Sequence, residues 1–231
     1  MQIRRLLMCA LCALVVGLMG GRAEAGGLFG LELVTNGDFE TGDLTGWIPA
    51  TGGTVVDPGD PVLGSGTDGL MDGSVMGDFV MHFETVVNPL LTQVIDVSVD
   101  GAAIDAGNVT ASISALLQSR VVGGAIDTIE MRVNFLDGGM GLLNGLSFVD
   151  TSIVDSVFDW TEVADTFAVN VGTRFIEVEL EGARIGGIST DSYADNISIV
   201  IDGPTTAIPV PGAFTGGLAL MGLAAVRRRR G

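Results

Sequence analysis

The 231-residue chain contains no lysine, one histidine, one tyrosine and two cysteines. Cys9 and Cys12 both lie within the first 25 residues, so the rest of the chain offers no thiolate for a disulfide, a zinc site or a nucleophile. The absence of lysine excludes a GxxxxGK phosphate-binding loop, and no GxSxG motif is present. The single histidine, His82, completes no Ser-His-Asp set that the sequence itself indicates. These absences predict a protein that is not an enzyme.

Positive charge is scarce and unevenly placed. Residues 26–203 carry 27 of the 28 acidic residues but only four of the eleven arginines, which gives this region a net charge of −23. Without a cluster of cations to displace phosphate counterions, nucleic-acid binding is excluded. The acidity itself indicates solubility or a salt-rich habitat rather than the chemistry of a site.

The first 25 residues have the features of a secretory signal peptide. Arg4 and Arg5 precede an apolar run over residues 6–19, and residues 23–25 form an A-x-A cleavage site. The run is shorter than the roughly 20 residues that a membrane-spanning helix needs. We therefore predict a signal helix over residues 1–25, its removal by signal peptidase, and export of the remainder.

Apolar and polar residues alternate through much of residues 26–203, which is typical of half-buried strands. The clearest segments are DFVMHFET (78–85), TIEMRVNF (128–135), RFIEVELEG (174–182) and DNISIVID (195–202). Further strands are predicted over residues 31–35, 91–99, 109–122, 146–153 and 157–169. His82 falls on the polar side of its segment, which predicts a solvated or hydrogen-bonded residue at the surface. Eight to ten such strands without a sustained helical period predict an all-β, antiparallel β-sandwich over residues 26–203.

The segment LVTNGDFETGDLTGW (33–47) resembles the opening of the galactose-binding-like, carbohydrate-binding jelly-roll domains of exported bacterial proteins. The later strands of those domains are similar, in order, to LTQVIDVSV (91–99), IEMRVNFLDGG (129–139), WTEVADTFAVNVGTRFIEVELEG (160–182) and SYADNISIVI (192–201). The resemblance spans residues 33–201. It implies a jelly roll and the binding of surface or secreted polysaccharide.

The same resemblance implies a structural calcium ion between the first and last strands. By position, Glu40 of NGDFE and Asp195 of ADNIS would be its carboxylate ligands, and backbone carbonyls would complete the six to eight oxygens that Ca²⁺ takes. Alternatively, Asp38 and Asp195 hydrogen-bond the backbone of turns.

A glycan site generally combines aromatic faces with polar groups that fix orientation. Trp47 and Trp160 stand where such domains bury an aromatic residue, so both are expected in the core. Tyr193 is surrounded by polar residues, is expected in a loop, and is the candidate ligand contact.

Residues 204–231 are expected to form a separate tail with a proline motif, an apolar stretch over residues 213–226 and a run of four arginines. This order resembles the PEP-CTERM sorting signal, with valine in place of the central glutamate of the motif. The resemblance implies recognition by an exosortase-like membrane protease. The sorting residues are Pro209, Val210, Pro211, Arg227, Arg228, Arg229 and Arg230.

The apolar stretch of the tail would form a short C-terminal transmembrane helix. It would be about 21 Å long, against a hydrocarbon core of roughly 30 Å. Snorkelling arginines and local thinning of the bilayer reduce this mismatch. We therefore expect transient anchoring in the inner membrane with the domain outside, followed by release to the cell surface or the extracellular space. The alternative is a terminal helix packed in the core of the sandwich.

Three functions follow from these features. The first is a module that binds glycans of the cell surface or of secreted polysaccharide. The second is a structural or adhesive envelope component without a small ligand. The third, the weakest, is a polysaccharide-acting enzyme that uses paired carboxylates.

Overall fold

The computed structural model of the chain describes residues 27–56, 77–83, 88–122, 125–150, 160–185, 190 and 192–203. The predicted signal peptide and the predicted sorting tail lie outside these residues. Within the described ranges, no helix is both long enough and apolar enough to cross a bilayer.

Antiparallel strands in two packed sheets make up most of the described chain, which confirms the predicted β-sandwich. The strands are β1 (Ile48–Thr51), β2 (Thr54–Val56), β3 (Val80–Phe83), β4 (Leu90–Asp96), β5 (Thr110–Val122), β6 (Ala125–Leu136), β7 (Leu142–Val149), β8 (Thr161–Ala168), β9 (Phe175–Ala183) and β10 (Ser192–Asp202). Sheet A has the order β2-β3-β10-β5-β8, and sheet B has the order β1-β4-β9-β6-β7. The end of β5 pairs with the start of β6, from Arg120 opposite Asp127 to Val122 opposite Ala125. This pairing joins the two sheets.

A short helical connection links β4 of sheet B to β5 of sheet A. It consists of a 3-10 turn over Ser98–Asp100 and one helical turn, α1, over Gly101–Asp105. The carboxylate of Asp105 accepts a hydrogen bond from the amide of Gly172 at 3.1 Å and forms an ion pair with Arg174 at 2.7 Å. These contacts tie α1 to the turn between β8 and β9.

The core lies between the sheets and is built from alternate residues of each strand. The sequence assigns Ile129, Met131, Val133 and Phe135 to one face of β6, and all four are completely buried. The corresponding face of β9 contributes Ile176, Val178 and Leu180, and that of β10 contributes Ile197, Ile199 and Ile201. The period of two in the sequence is therefore the direct cause of this core.

The predicted strand over residues 31–35 is wrong. Glu32 forms only an isolated bridge with Val200. The amide of Val34 donates to the Glu32 carboxylate at 2.8 Å, and the amide of Thr35 donates to the side chain of Gln93 at 2.7 Å. Because side chains accept these two amides, only Leu33 donates from this segment to β10, to the carbonyl of Ile199 at 3.0 Å, and no continuous ladder forms.

Candidate functional site

A second apolar cluster lies on the face of sheet A that points away from the core. It consists of Val56, Val80, Leu116 and Tyr193, with Trp160 packed against it. Each strand residue alternates with a core-facing neighbour, so the cluster belongs to the outer face. All four strand residues are nonetheless buried.

Tyr193 lies within β10, so its predicted place in a loop is wrong. Its side chain is 1% exposed and stacks on His82, with ring centroids 4.4 Å apart and an interplanar angle of 10°. His82 is also buried, which contradicts its expected position at the surface. A tyrosine ring enclosed in this way offers no open face for stacking on a sugar.

The two tryptophans differ in their environment. Trp47 is buried as expected, stacks on Phe39 at 5.7 Å, and donates from its indole nitrogen to the carbonyl of Asn36 at 3.1 Å. Trp160 is only half-buried, at the start of β8. Its indole N–H is buried without an acceptor among the described residues.

Next to the second cluster, the outer face of sheet A forms a shallow groove of about 370 Å³ across β8, β5 and β10. Its polar lining is formed mainly by the hydroxyl groups of Ser112, Ser114, Thr166 and Ser198. Asp165 borders the groove, but it pairs with the core residue Ile113, so its side chain lies on the other face of the strand. Two of the hydroxyls, on Ser112 and Thr166, lie 3.4 Å apart across the strands. Local sequence places Ser112 and Ser114 on one face of β5, but the strands beside β5 are set only by the tertiary pairing.

The predicted calcium ligands lie where the segment before β1 meets β10. The Glu40 carboxylate accepts hydrogen bonds from the amides of Asp78 and Phe79, at 2.9 Å and 3.1 Å. Gly77, with φ of 60°, makes this approach possible, because a Cβ there would lie 2.2 Å from Glu40 Oε1. On β10, Asp195 begins a bulge in the pairing with β5.

The carboxylate of Asp195 is completely buried. Its Oδ1 accepts the amide of Asn196 at 2.7 Å, whereas its Oδ2 has no hydrogen-bond donor in the described part of the chain. Burial raises the pKa of Asp195 to about 8; the hydrogen bond from Asn196 opposes this increase, while the nearby charges of Glu40 and Asp38 add to it. The structure thus brings Asp195 within the electrostatic influence of Glu40 and Asp38, across more than 150 residues of sequence.

These residues fit a calcium ion in one specific respect. A buried carboxylate oxygen without a donor, close to two further carboxylates, is a position that a hard cation would satisfy. The described residues contain no group of three or more acidic, histidine or cysteine side chains arranged around a metal position. The predicted shell needs only two carboxylates, because backbone carbonyls supply its remaining oxygens, so it does not require such a group of three.

The outer face of sheet B has a different character from the groove. Arg132 pairs with Glu179 at 2.9 Å, Glu181 at 2.6 Å and Glu130 at 3.3 Å. Glu179, and next Glu181, raise the pKa of Arg132 further above its ordinary value. The side chains on this face are therefore committed to one another rather than to an open groove.

No protein-family model matches the chain, and no curated protein matches it. Solved structures with similar architecture include the enzymatically active domain of tailspike protein 4 of bacteriophage CBA120, at 16% identity and a TM-score of 0.49 over 74% of this chain and 21% of that chain. They also include the CBM22-1-GH10 modules of Clostridium thermocellum xylanase 10B, at 15% identity and a TM-score of 0.40 over 68% of this chain and 26% of that chain. A third is the CBM22-1 xylan-binding domain of Paenibacillus barcinonensis Xyn10C, at 14% identity and a TM-score of 0.43 over 77% of this chain and 97% of that domain. Likenesses of this size carry no argument about function, which is therefore inferred from the geometry of this chain.

Proposed function

We propose that this chain is an exported, non-enzymatic protein whose sandwich is a galactose-binding-like jelly roll that binds polysaccharide on the outer face of sheet A. The observation that carries the proposal is the groove of about 370 Å³ with the hydroxyl groups of Ser112, Ser114, Thr166 and Ser198 in its lining. Such groups can pair with the hydroxyls of a sugar, and the groove is concave and contiguous, as ligand sites generally are.

Binding of polysaccharides by the purified chain, measured calorimetrically with calcium present, tests this proposal. Thr166→Leu fills the groove and is expected to abolish binding. Thr92→Leu makes the same change on sheet B, where Thr92 lies opposite Glu179, and should leave binding intact. If the unaltered chain binds no acidic or neutral polysaccharide, or if both variants bind equally well, glycan binding at the groove is overturned.

One observation favours the structural or adhesive alternative. In the described part of the chain, no aromatic side chain is among the exposed large hydrophobics, so the groove lacks an open aromatic platform. A failure of every polysaccharide to bind would favour this alternative. Release of sugar fragments in the same incubations, lost on Asp165→Asn, would instead support the weaker enzymatic hypothesis.

Export and sorting form the second part of the proposal. The supporting features are the A-x-A site at residues 23–25, the proline motif at residues 209–211 and the arginines at residues 227–230. Signal peptidase removes the first segment, and an exosortase-like protease acts at the tail while residues 213–226 hold the protein in the inner membrane. Mass spectrometry of both termini of the mature protein tests this. Secreted protein that still carries all four terminal arginines would contradict it.

A structural calcium ion held by Glu40 and Asp195 is the third part. The buried Asp195 oxygen without a donor supports it. Bound Ca²⁺ supplies positive charge that offsets the cost of a buried carboxylate. Glu40 and Asp195 then connect the segment before β1 to β10 and stabilise the sandwich.

Thermal unfolding with added calcium and with a chelator tests the calcium site. A ligand that binds only the folded state raises its stability, by about 2.7 kcal/mol at a concentration 100-fold above Kd. The double variant Glu40→Gln with Asp195→Asn should lose this response, whereas Glu162→Gln with Asp202→Asn, at two exposed positions, should retain it. An equal response in both double variants would place calcium elsewhere.

A further inference from the structure

The exposed apolar side chains of the described residues are concentrated at one end of the sandwich. We call this the exit end; it is where β4 and β6 finish and where β5, β7 and β9 begin. Six of the ten large apolar side chains that are exposed lie there, from 40% exposed at Leu143 to 66% at Leu142. They are Leu31, Val99, Met140, Leu142, Leu143 and Val171.

Four of them lie on two neighbouring connections. Met140 lies in the turn between β6 and β7, Leu142 and Leu143 are the first two residues of β7, and Val171 lies in the turn between β8 and β9. A Cβ added at Gly172 would lie 3.7 Å from Leu143 Cδ1, so the second turn lies beside the start of β7. We call Met140, Leu142, Leu143 and Val171 the apolar end patch. Exposed apolar side chains clustered in this way often mark a place of interaction.

Both ends of the described chain arrive at the exit end. The amide of Leu28 donates to the Asp100 carboxylate at 2.7 Å, beside α1. The amide of Gly30 donates to the carbonyl of Ile201 at 2.9 Å, and Asp202 pairs with the first residue of β5. The apolar tail is therefore connected to the same end of the domain as the apolar end patch.

The connection to the tail is short. Nine residues, 204–212, separate the last described residue from the apolar stretch that begins at residue 213, and three of the nine are prolines. Fully extended, nine residues reach at most about 30 Å. When residues 213–226 lie in the bilayer, the exit end is held within that distance of its surface.

Charges at the exit end indicate which lipid surface is compatible with it. The Asp105 carboxylate is paired with Arg174 at 2.7 Å, and the Asp137 carboxylate accepts the amides of Gly139 and Gly141, both at 2.8 Å. These contacts hold the pKa of both carboxyl groups below the ordinary value, so both stay ionised at neutral pH. A zwitterionic surface suits this end better than an anionic one, which would repel it.

We propose that the apolar end patch contacts the outer surface of a zwitterionic lipid membrane while the tail is inserted. The inference rests on the insertion of the tail proposed above. In this arrangement the exit end faces the membrane, and the end at which β5 and β6 join faces away. The groove on sheet A lies along the side of the domain and stays accessible to polysaccharide.

Fluorescence quenching by membrane-embedded doxyl groups tests the contact. The full chain, with Cys9 and Cys12 replaced by alanine, is labelled at one cysteine with an environment-sensitive dye and reconstituted into phosphatidylcholine vesicles that contain doxyl lipid. Leu142→Cys and Val171→Cys report on the patch, Leu220→Cys reports on tail insertion, and Asn88→Cys, exposed at the opposite end, is the matched control.

We expect doxyl lipid to reduce the emission at positions 142, 171 and 220 but not at position 88. Quenching at 220 without quenching at 142 and 171 overturns the membrane contact while leaving tail insertion in place. No quenching at 220 overturns the tail insertion and the inference with it. A dye at 142 that is shielded equally with and without lipid indicates a second copy of the chain on the patch and also overturns the proposal.

Discussion

Burial decides the chemistry of Asp195. This carboxylate lies inside the protein, beside Glu40 and Asp38, and its pKa rises to about 8 from an ordinary value of 3.8. The sequence, through a family resemblance, indicated the position of Asp195 but not its burial. The burial of Asp195 depends on how β10 bulges against β5 and on which residues cover the bulge. Neither is encoded within a few residues of Asp195.

Asp195 predicts a specific pH dependence of stability in calcium-free protein. Below about pH 4 the Asp195 carboxyl is protonated in both the folded and the unfolded chain, so the free energy of unfolding has its full value with respect to this group. Between pH 4 and about 8 the unfolded chain ionises while the folded chain stays protonated, and the free energy of unfolding falls by about 1.4 kcal/mol per pH unit from this group. Urea unfolding in a chelator, with Asp195→Asn as the reference, measures it. The same slope in both proteins would contradict the prediction.

Gly77 allows a second prediction at this scale. Gly77→Ala would place a methyl group 2.2 Å from Glu40 Oε1 at a φ of 60°, whereas Gly30→Ala has a similar φ of 73° with open space around it. We expect about 1 kcal/mol of destabilisation at Gly30 from the backbone alone, and at least about 2 kcal/mol at Gly77, where the Glu40 carboxylate must also move. Chemical denaturation compares the two variants, and equal losses would mean that the Glu40 contact adds nothing.

At the scale of elements, the edge strands of the described sheets differ in how well they are protected against pairing with another chain. The edge strand β1 is short and contains Pro49, β2 has three residues, and β8 carries Glu162 and Asp165. In contrast, β7 has eight residues, LLNGLSFV, without charge or proline. Such an edge can pair with another strand.

We therefore predict that Val149→Lys reduces self-association at high salt and high protein concentration. Val149 is 41% exposed on β7, and Val94, 42% exposed on β4 between two neighbouring strands, is the matched position. Because only Val149 lies on an open edge, Val94→Lys should change light scattering much less. A similar reduction in both variants would indicate a general effect of added positive charge.

Periodicity predicted the long strands well and the short ones poorly. Strands β6, β9 and β10 bury the residues that alternation assigns to the core. Strands β1 and β2, of four and three residues, contain too few residues for a period to appear. The segment 31–35 has the right residue types, but the side chains of Glu32 and Gln93 accept two of its amides. A period of two does not report either acceptor, and Gln93 lies 58 residues away along the chain.

For the whole molecule, the dominant feature is its charge of −17. Like charges on a compact domain repel one another, and salt shortens the range of this repulsion from about 30 Å at 0.01 M to about 8 Å at 0.15 M. We predict that the Tm in a chelator rises as sodium chloride is added over this range. An uncharged solute at equal osmolality serves as the control; a Tm that falls with salt would show that attractive pairs such as those of Arg132 outweigh the repulsion.

The sequence by itself determined the long strands, their core faces and the acidity of the protein, because each depends on residue type and on spacing within one strand. Only the tertiary structure decided that His82 and Tyr193 are buried against each other, that Ser112, Thr166 and Ser198 line one groove, and that the apolar turns share an end with the chain exits. These features depend on which strands become neighbours and on what covers a face. Strand neighbours are chosen by the packing of the whole sandwich, which no local pattern contains.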